Sequence, residues 1–279
     1  MKQNIIRAIF SVFAFGISFF IATLTQLEIV ENAILLAFLI HWLLFIPAFV
    51  FKTEKFFDLS GSFTYVSVMI YVVYSKNNFQ DQVGNIVLAS LIILWALRLG
   101  SFLFFRIQKA GEDKRFRDIK TSFSRFFLLW TISGMWVSLC SMCALTAIAS
   151  KDGVVMNEIF YIGLATFVVG LSIEMLADYQ KTQFRKDPKN RDNFISSGLW
   201  ARSKHPNYVG EITLWLGVAI ISFSSLEGWQ YVSLISPIFT YLLLVYVSGV
   251  PQLKESGLKK WGHLDSYQDY IKKTPTLIF

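Results

Sequence analysis

Long apolar runs, each able to cross a lipid bilayer as a helix, constrain this chain more than any other feature. Five contain the roughly 17 to 25 residues that a span requires, and they lie at residues 5–25, 32–51, 83–105, 126–149 and 157–177. Three shorter runs lie at residues 61–74, 207–224 and 229–249. The sequence therefore predicts an all-α, polytopic transmembrane helical bundle of about eight spans, or of seven if residues 61–74 form a re-entrant segment.

The composition excludes an ordinary soluble domain, because 54% of the residues are hydrophobic and only 16% are charged. No linker, internal repeat or low-complexity tract divides the chain. We therefore expect residues 1–279 to form a single membrane-embedded domain.

Lysine and arginine are distributed unevenly among the predicted loops. Of 26 such residues, seven lie in residues 106–125, seven in 181–204 and five after Pro251, whereas the intervening loops hold only Lys76 and Lys151. Basic loops remain in the cytoplasm, so we expect both termini there. The net charge of +7 is then explained by topology and predicts no nucleic-acid partner.

A polar segment, residues 197–211, leads into the short apolar run at 207–224. Gly198 allows a tight turn, and Pro206 suits the first turn of a helix. The start of that helix presents unpaired N–H groups and a partial positive charge beside Arg202, Lys204 and His205. This arrangement predicts a phosphate-binding site.

Three polar side chains share one face of the predicted helix, because Asn207, Tyr208 and Glu211 are spaced by three and four residues. Glu211 lies one turn inside the apolar run, where a carboxylate needs a partner. A membrane helix with ordinary basic flanks would not explain it.

Charged residues also occur inside one other predicted span and at the end of another. Arg98 lies in the middle of residues 83–105, where an unpaired guanidinium costs about 3 kcal/mol or more. Glu174 and Asp178 are one helical turn apart, and Lys181 and Arg185 continue their face. Arg98 is predicted to pair with Glu174, Asp178 or Glu211, either as a functional group or as an ion pair that fixes helix register.

The two cysteines, Cys140 and Cys143, form a C-x-x-C pattern inside an apolar run. A zinc site would need two further ligands. We interpret them as packing residues and predict no metal site. In the C-terminal segment, Tyr267 and Tyr270 are predicted either to lie at the membrane interface or to close the site.

Three segments resemble the signature of a known membrane family. They are Gly198-Leu-Trp with His205-Pro-Asn-Tyr-x-Gly-Glu211, Leu97-Arg-Leu with Arg106 and Gly111-Glu-Asp-Lys-Arg115, and Glu174-x-x-x-Asp178-x-Gln-Lys181-x-x-Phe184. The chain is similar, from about Phe57 onward, to the integral-membrane family DUF1295, which is related to the steroid 5-alpha-reductases (3-oxo-5-alpha-steroid 4-dehydrogenases). A bacterial inner-membrane location follows from this resemblance.

The resemblance implies an oxidoreductase that binds NADPH from the cytoplasmic side and passes a hydride to the C=C bond of a lipophilic enone, steroid-like or other. It implies these cofactor-binding residues: Asp113, Arg115, Glu174, Asp178, Lys181, Arg185, Arg202, His205, Asn207, Tyr208 and Glu211. The three segments would have to meet at the inner leaflet.

The chain departs from the steroid-reducing relatives where they hold the steroid carbonyl. It has Phe45-Ile-Pro47 and Arg98-Leu99 at the matching positions, so the substrate stays open. We take Tyr65, Asp58 and Arg98 as catalytic candidates from their positions.

Two other function classes remain. The short His-Pro-x-Tyr-x-Gly-Glu core also resembles isoprenylcysteine and phospholipid methyltransferases, which use S-adenosylmethionine. A non-enzymatic lipid-binding protein would explain an apolar cavity but not the clustered phosphate-type residues.

Overall fold

A computed structural model describes residues 2–76 and 83–277, and the regular secondary structure of that part of the chain is helical, without a strand. Its α-helices are α1 (Lys2–Leu24), α2 (Glu28–Val50), α3 (Phe57–Ser75), α4 (Val83–Ala110), α5 (Phe123–Ala149), α6 (Glu158–Lys186), α7 (Pro206–Phe223), α8 (Ile235–Leu242), α9 (Val250–Trp261) and α10 (Asp265–Lys273). Short 3-10 helices lie at Lys114–Phe116, Pro188–Asn190, Gly198–Ala201 and Gly228–Leu234, and a π-helix lies at Leu243–Val247.

The predicted polytopic bundle is confirmed. In the described residues, α1 to α6 and the segment Gly228–Trp261 are long and apolar enough to cross a membrane. The alternative of a re-entrant segment at residues 61–74 is not seen, because α3 is one continuous helix of 19 residues. The remaining predicted span, at residues 207–224, corresponds to α7, whose 18 residues measure about 27 Å at 1.5 Å per residue but which is not among those seven helices.

Residue contacts divide the chain into two compact units, of which the first comprises Met1–Phe160 and Ile221–Ser236. Helix α5 is its centre, since α1, α2 and α3 all pack against it. Every residue from Val137 to Ala149 is buried, the pattern of a helix that is enclosed on all sides. Cys143 donates to the carbonyl oxygen of Ser233 at 2.8 Å, so the cysteines lie in this packed region.

The second unit comprises Tyr161–Ile220 and Pro237–Phe279. Its long helices, α6 and α7, touch at backbone level through glycines. A Cβ atom on Gly210 would lie 2.5 Å from the backbone nitrogen of Glu174 and 2.6 Å from the carbonyl oxygen of Gly170. Small residues permit such close approach between membrane helices. The contact brings Glu174 against the first turns of α7.

Candidate functional site

The segment that precedes α7 is anchored on the end of α6. Gly198 has a φ of +62°, and a Cβ atom there would lie 2.6 Å from Gln180 Oε1, so the turn requires glycine. The backbone nitrogen of Leu199 donates to that oxygen at 2.9 Å. The indole nitrogen of Trp200 donates to the Ala177 carbonyl oxygen at 3.1 Å. The Gly-Leu-Trp part of the motif therefore fixes the path of the chain into α7.

The C-terminal segment holds the same loop from the other side. The backbone nitrogen of Lys204 donates to the carbonyl oxygen of Pro275 at 3.0 Å, and its Nζ donates to the carbonyl oxygen of Ile271 at 3.1 Å. The hydroxyl of Tyr270 donates to the carbonyl oxygen of Trp200 at 2.7 Å. Tyr270 therefore holds the loop before α7, and its role in closing the cofactor site stays a prediction.

Two buried polar atoms at the start of α7 have no hydrogen-bond partner within the described part of the chain. They are His205 Nδ1 and Asn207 Oδ1. His205 is only 9% exposed. A buried polar group left unsatisfied costs about 1–3 kcal/mol, and both atoms lie at the N-terminal end of α7, which carries a partial positive charge. This combination is typical of a site completed by a ligand.

Two lysines lie near His205. Burial, together with the charges of Lys181 and Lys204, lowers the pKa of His205 from 6.5 to about 4. The imidazole is therefore neutral at pH 7. Lys181 Nζ lies 4.7 Å from the centre of the Trp200 ring, which orients it by a cation–π contact. Two ammonium groups and a helix N-terminus give the site a local positive potential.

The two arginines predicted for this region differ in their surroundings. Arg185 donates to the carbonyl oxygen of Asn193 at 3.1 Å, and its guanidinium lies 5.2 Å from the centre of the Trp261 ring. Arg202 is exposed. Arg185 therefore contacts the loop that follows α6.

The acidic residues of the second unit lie deeper. Glu174 and Glu211 are 2% and 7% exposed, and Asp178 is half-buried. The Tyr208 ring stacks on His205, with ring centres 5.4 Å apart. The structure thus brings Glu174 together with the α7 motif through the contact at Gly210.

In the first unit, Asp113 and Arg115 bind each other. Arg115 Nε lies 3.0 Å from both Asp113 carboxylate oxygens, and Arg115 Nη2 lies 2.5 Å from Oδ2. Partial burial alone would raise the pKa of Asp113, but hydrogen bonds and charge from Arg115, together with the charge of Arg106, hold it below its ordinary value. The pair is therefore ionised at neutral pH.

Sequence reasoning missed the group that supports this pair. Glu54 is 1% exposed. Its Oε1 accepts from the backbone nitrogen of Asp113 at 3.0 Å, and its Oε2 accepts from Lys120 Nζ at 2.6 Å. Since Glu54 lies near Lys52 and Lys55 in a short polar loop, no local pattern indicated its burial.

The three catalytic candidates lie on α3 and α4. Tyr65 is 5% exposed and packs edge-on against Trp95 at 5.2 Å between ring centres. Asp58 precedes it by seven residues, which is about 10 Å along the helix axis. Arg98 lies 5.8 Å from the Phe102 ring centre. Their catalytic roles stay predictions, as does the binding of one cofactor by residues of both units.

Comparison with known proteins gives one family and two distant relatives. The family described as "Protein of unknown function (DUF1295)" matches residues 44–274. A probable O-methyltransferase, ustE, of Ustilaginoidea virens is 27% identical over an alignment of 153 residues that covers 45% of this chain and 54% of that protein. The 3-oxo-5-alpha-steroid 4-dehydrogenase 1 of Bos taurus is 26% identical over 113 residues, which cover 40% of this chain and 38% of that protein.

The chain thus spans about half or less of the length of the curated relatives it matches. No solved structure matches it.

Proposed function

This chain belongs to the DUF1295 family, which is related to the steroid 5-alpha-reductases, and from that premise we propose that it is an NADPH-dependent membrane reductase. Its reaction would be hydride transfer to the C=C bond of a lipophilic enone. The relative in Bos taurus is named as a steroid dehydrogenase, and the substrate class proposed here is broader than steroids.

One observation carries the proposal: His205 Nδ1 and Asn207 Oδ1 are buried without partners in the described part of the chain, beside Lys181 and Lys204. A multiply anionic nucleotide fits this donor set. Its phosphate oxygens would accept from the lysines, at a helix end whose partial positive charge favours an anion. Its hydroxyl or amide groups would donate to Asn207 Oδ1. The residues present therefore fit the cofactor.

When bound, NADPH supplies the hydride. The chain would hold the phosphates at the start of α7, exclude water from the nicotinamide and orient the substrate. Addition at the β carbon of an enone builds negative charge on its oxygen, so a donor is needed about 3 Å from that oxygen. Tyr65, a buried phenol on α3, is our first candidate for this donor, with Asp58 and Arg98 as the other two.

The proposal also assigns a side of the membrane. The loops that carry Asp113 and His205 are among those rich in lysine and arginine, and nucleotides are cytoplasmic. We therefore propose that these loops and both termini face the cytoplasm of a bacterial cell.

Thermal stability of the purified protein in detergent tests the cofactor. NADPH at 100 times its Kd should stabilise the folded protein by about 2.7 kcal/mol. His205→Ala and Asn207→Ala should reduce this gain. His263→Ala, at an exposed histidine, is the matched control and should preserve it. Absence of any gain with NADPH in the wild-type protein would refute the proposal.

A second candidate is a methyltransferase that uses S-adenosylmethionine, favoured by the similarity to the probable O-methyltransferase. The same titration separates the two, because the candidate cofactors differ in charge. A stabilising effect of S-adenosylmethionine without one of NADPH would replace the reductase by the methyltransferase.

A further inference from the structure

We infer that Glu54 is a positioning residue, whose carboxylate sets the conformation of the loop that carries Asp113 and Arg115. This inference rests on the proposed function, since it assigns the loop a role in holding the anionic cofactor. In this role Glu54 would act on the cofactor through the loop, by its contacts with Asp113 and Lys120.

The contacts of Glu54 join two points of the loop. Oε1 accepts from the backbone nitrogen of Asp113 at 3.0 Å, and Oε2 accepts from Lys120 Nζ at 2.6 Å. These partners are seven residues apart, and the 3-10 turn Lys114–Phe116 lies between them. A single carboxylate with 1% exposure therefore holds the loop from both ends.

The effect passes from Glu54 to the guanidinium of Arg115 through Asp113. With its backbone nitrogen held by Glu54, Asp113 accepts at Oδ1 from both the backbone nitrogen and Nε of Arg115, each at 3.0 Å. The Arg115 side chain is 58% exposed and that of Asp113 is 11% exposed. The guanidinium is thus oriented on its inner side while its outer side remains accessible to an anion.

Two roles for Glu54, as one half of a structural ion pair with Lys120 or as a positioning group for the loop, lead to different expected results. An ion pair acts through charge, and its replacement by apolar groups of similar size is often tolerated. A positioning role depends on Glu54 Oε1 as the acceptor for the Asp113 N–H, so the loop keeps its conformation only if an acceptor remains there. Two double variants separate these roles, because both remove the charges and only one keeps the acceptor.

The variants are Glu54→Gln with Lys120→Met, and Glu54→Leu with Lys120→Met. Glutamine keeps an oxygen for the Asp113 N–H, whereas leucine leaves that N–H without an acceptor. In the cofactor-free protein in detergent, hydrogen exchange in peptides that cover residues 111–117 should be about tenfold faster in the leucine variant. Loss of the neutral hydrogen bond that glutamine keeps and leucine lacks corresponds to a change of up to about this size. Glu255→Gln, in an exposed pair with Lys259, is the control and should exchange as the wild type does.

Titration with NADPH supplies the second readout. The leucine variant should bind about tenfold more weakly than the glutamine variant. Equal exchange in the two variants would overturn the inference, and so would faster exchange with equal NADPH affinity.

If the wild-type protein binds no NADPH, the proposed function fails, and with it the role of Glu54 toward the cofactor. The exchange measurement then still decides whether Glu54 fixes the loop.

Discussion

Substitution of Gly210 by alanine tests whether backbone contact between α6 and α7 builds the second unit. The added Cβ would lie 2.5 Å from the Glu174 nitrogen, whereas ordinary contact begins at 3.4 Å, so the helices would have to separate by 0.9 Å. The obstructing atoms are mainly backbone and cannot rotate away. Overpacking of this kind costs about 1–3 kcal/mol.

The higher helix propensity of alanine opposes this destabilisation and can be measured separately. Alanine favours a helix over glycine by about 1 kcal/mol, which reduces the net loss. Gly16→Ala isolates this contribution, because a Cβ atom added there would meet nothing within 4 Å. Reversible unfolding in mixed detergent, followed by circular dichroism, should show Gly210→Ala destabilised and Gly16→Ala unchanged or stabilised.

Gly210→Ala should also weaken NADPH binding, since Glu174 packs against Gly210 and the motif residues Asn207 and Glu211 flank it in the sequence. Equal stability of the Gly210→Ala and Gly16→Ala proteins would refute the inferred backbone contact.

Three further predictions concern the loop before α7. Because the folded protein lowers the pKa of His205 to about 4, the unfolded chain binds more protons below pH 6.5, and stability falls as the pH decreases toward 4. Thermal unfolding should show a free energy of unfolding about 2 kcal/mol lower at pH 5 than at pH 8. The substitution His205→Gln should remove this difference. An anion beside His205 raises its pKa, so calorimetry in buffers of different ionisation enthalpy should detect proton uptake on NADPH binding near pH 5; proton release would contradict the site. Tyr270→Phe removes the bond to Trp200 and should cost about 1 kcal/mol, whereas Tyr179→Phe, at an exposed ring, should cost nothing measurable.

Much of the fold follows from the sequence, because lipid requires each span to satisfy its backbone hydrogen bonds internally. Hydrophobicity locates the middle of a helix better than its ends: the predicted run 157–177 belongs to α6, which continues to Lys186. The run 229–249 is divided into 3-10, α and π segments. Such irregular helical segments are determined by packing against neighbouring elements, and the local residue pattern carries no information about that packing.

In the candidate site, too, local features could be predicted from the sequence and contacts between distant residues could not. The spacing around His205 and Asn207 was visible in the sequence, because a helix start has local rules. The contacts of Tyr270 with Trp200 and of Glu54 with Asp113 join residues about 60 to 70 positions apart. Pairings at that separation depend on the whole fold, so a single sequence could not reveal them.

The charge around His205 gives a physical reason to rank the two candidate cofactors. Burial and two neighbouring lysines keep its imidazole neutral, which means that the protein groups alone already disfavour one more positive charge. S-adenosylmethionine would bring a sulfonium cation to these groups, whereas NADPH would bring phosphates. Phosphate oxygens would neutralise the positive charges of Lys181 and Lys204. The bound nucleotide would also supply hydrogen-bond partners for the buried atoms His205 Nδ1 and Asn207 Oδ1. We therefore rank the proposed reductase above the proposed methyltransferase.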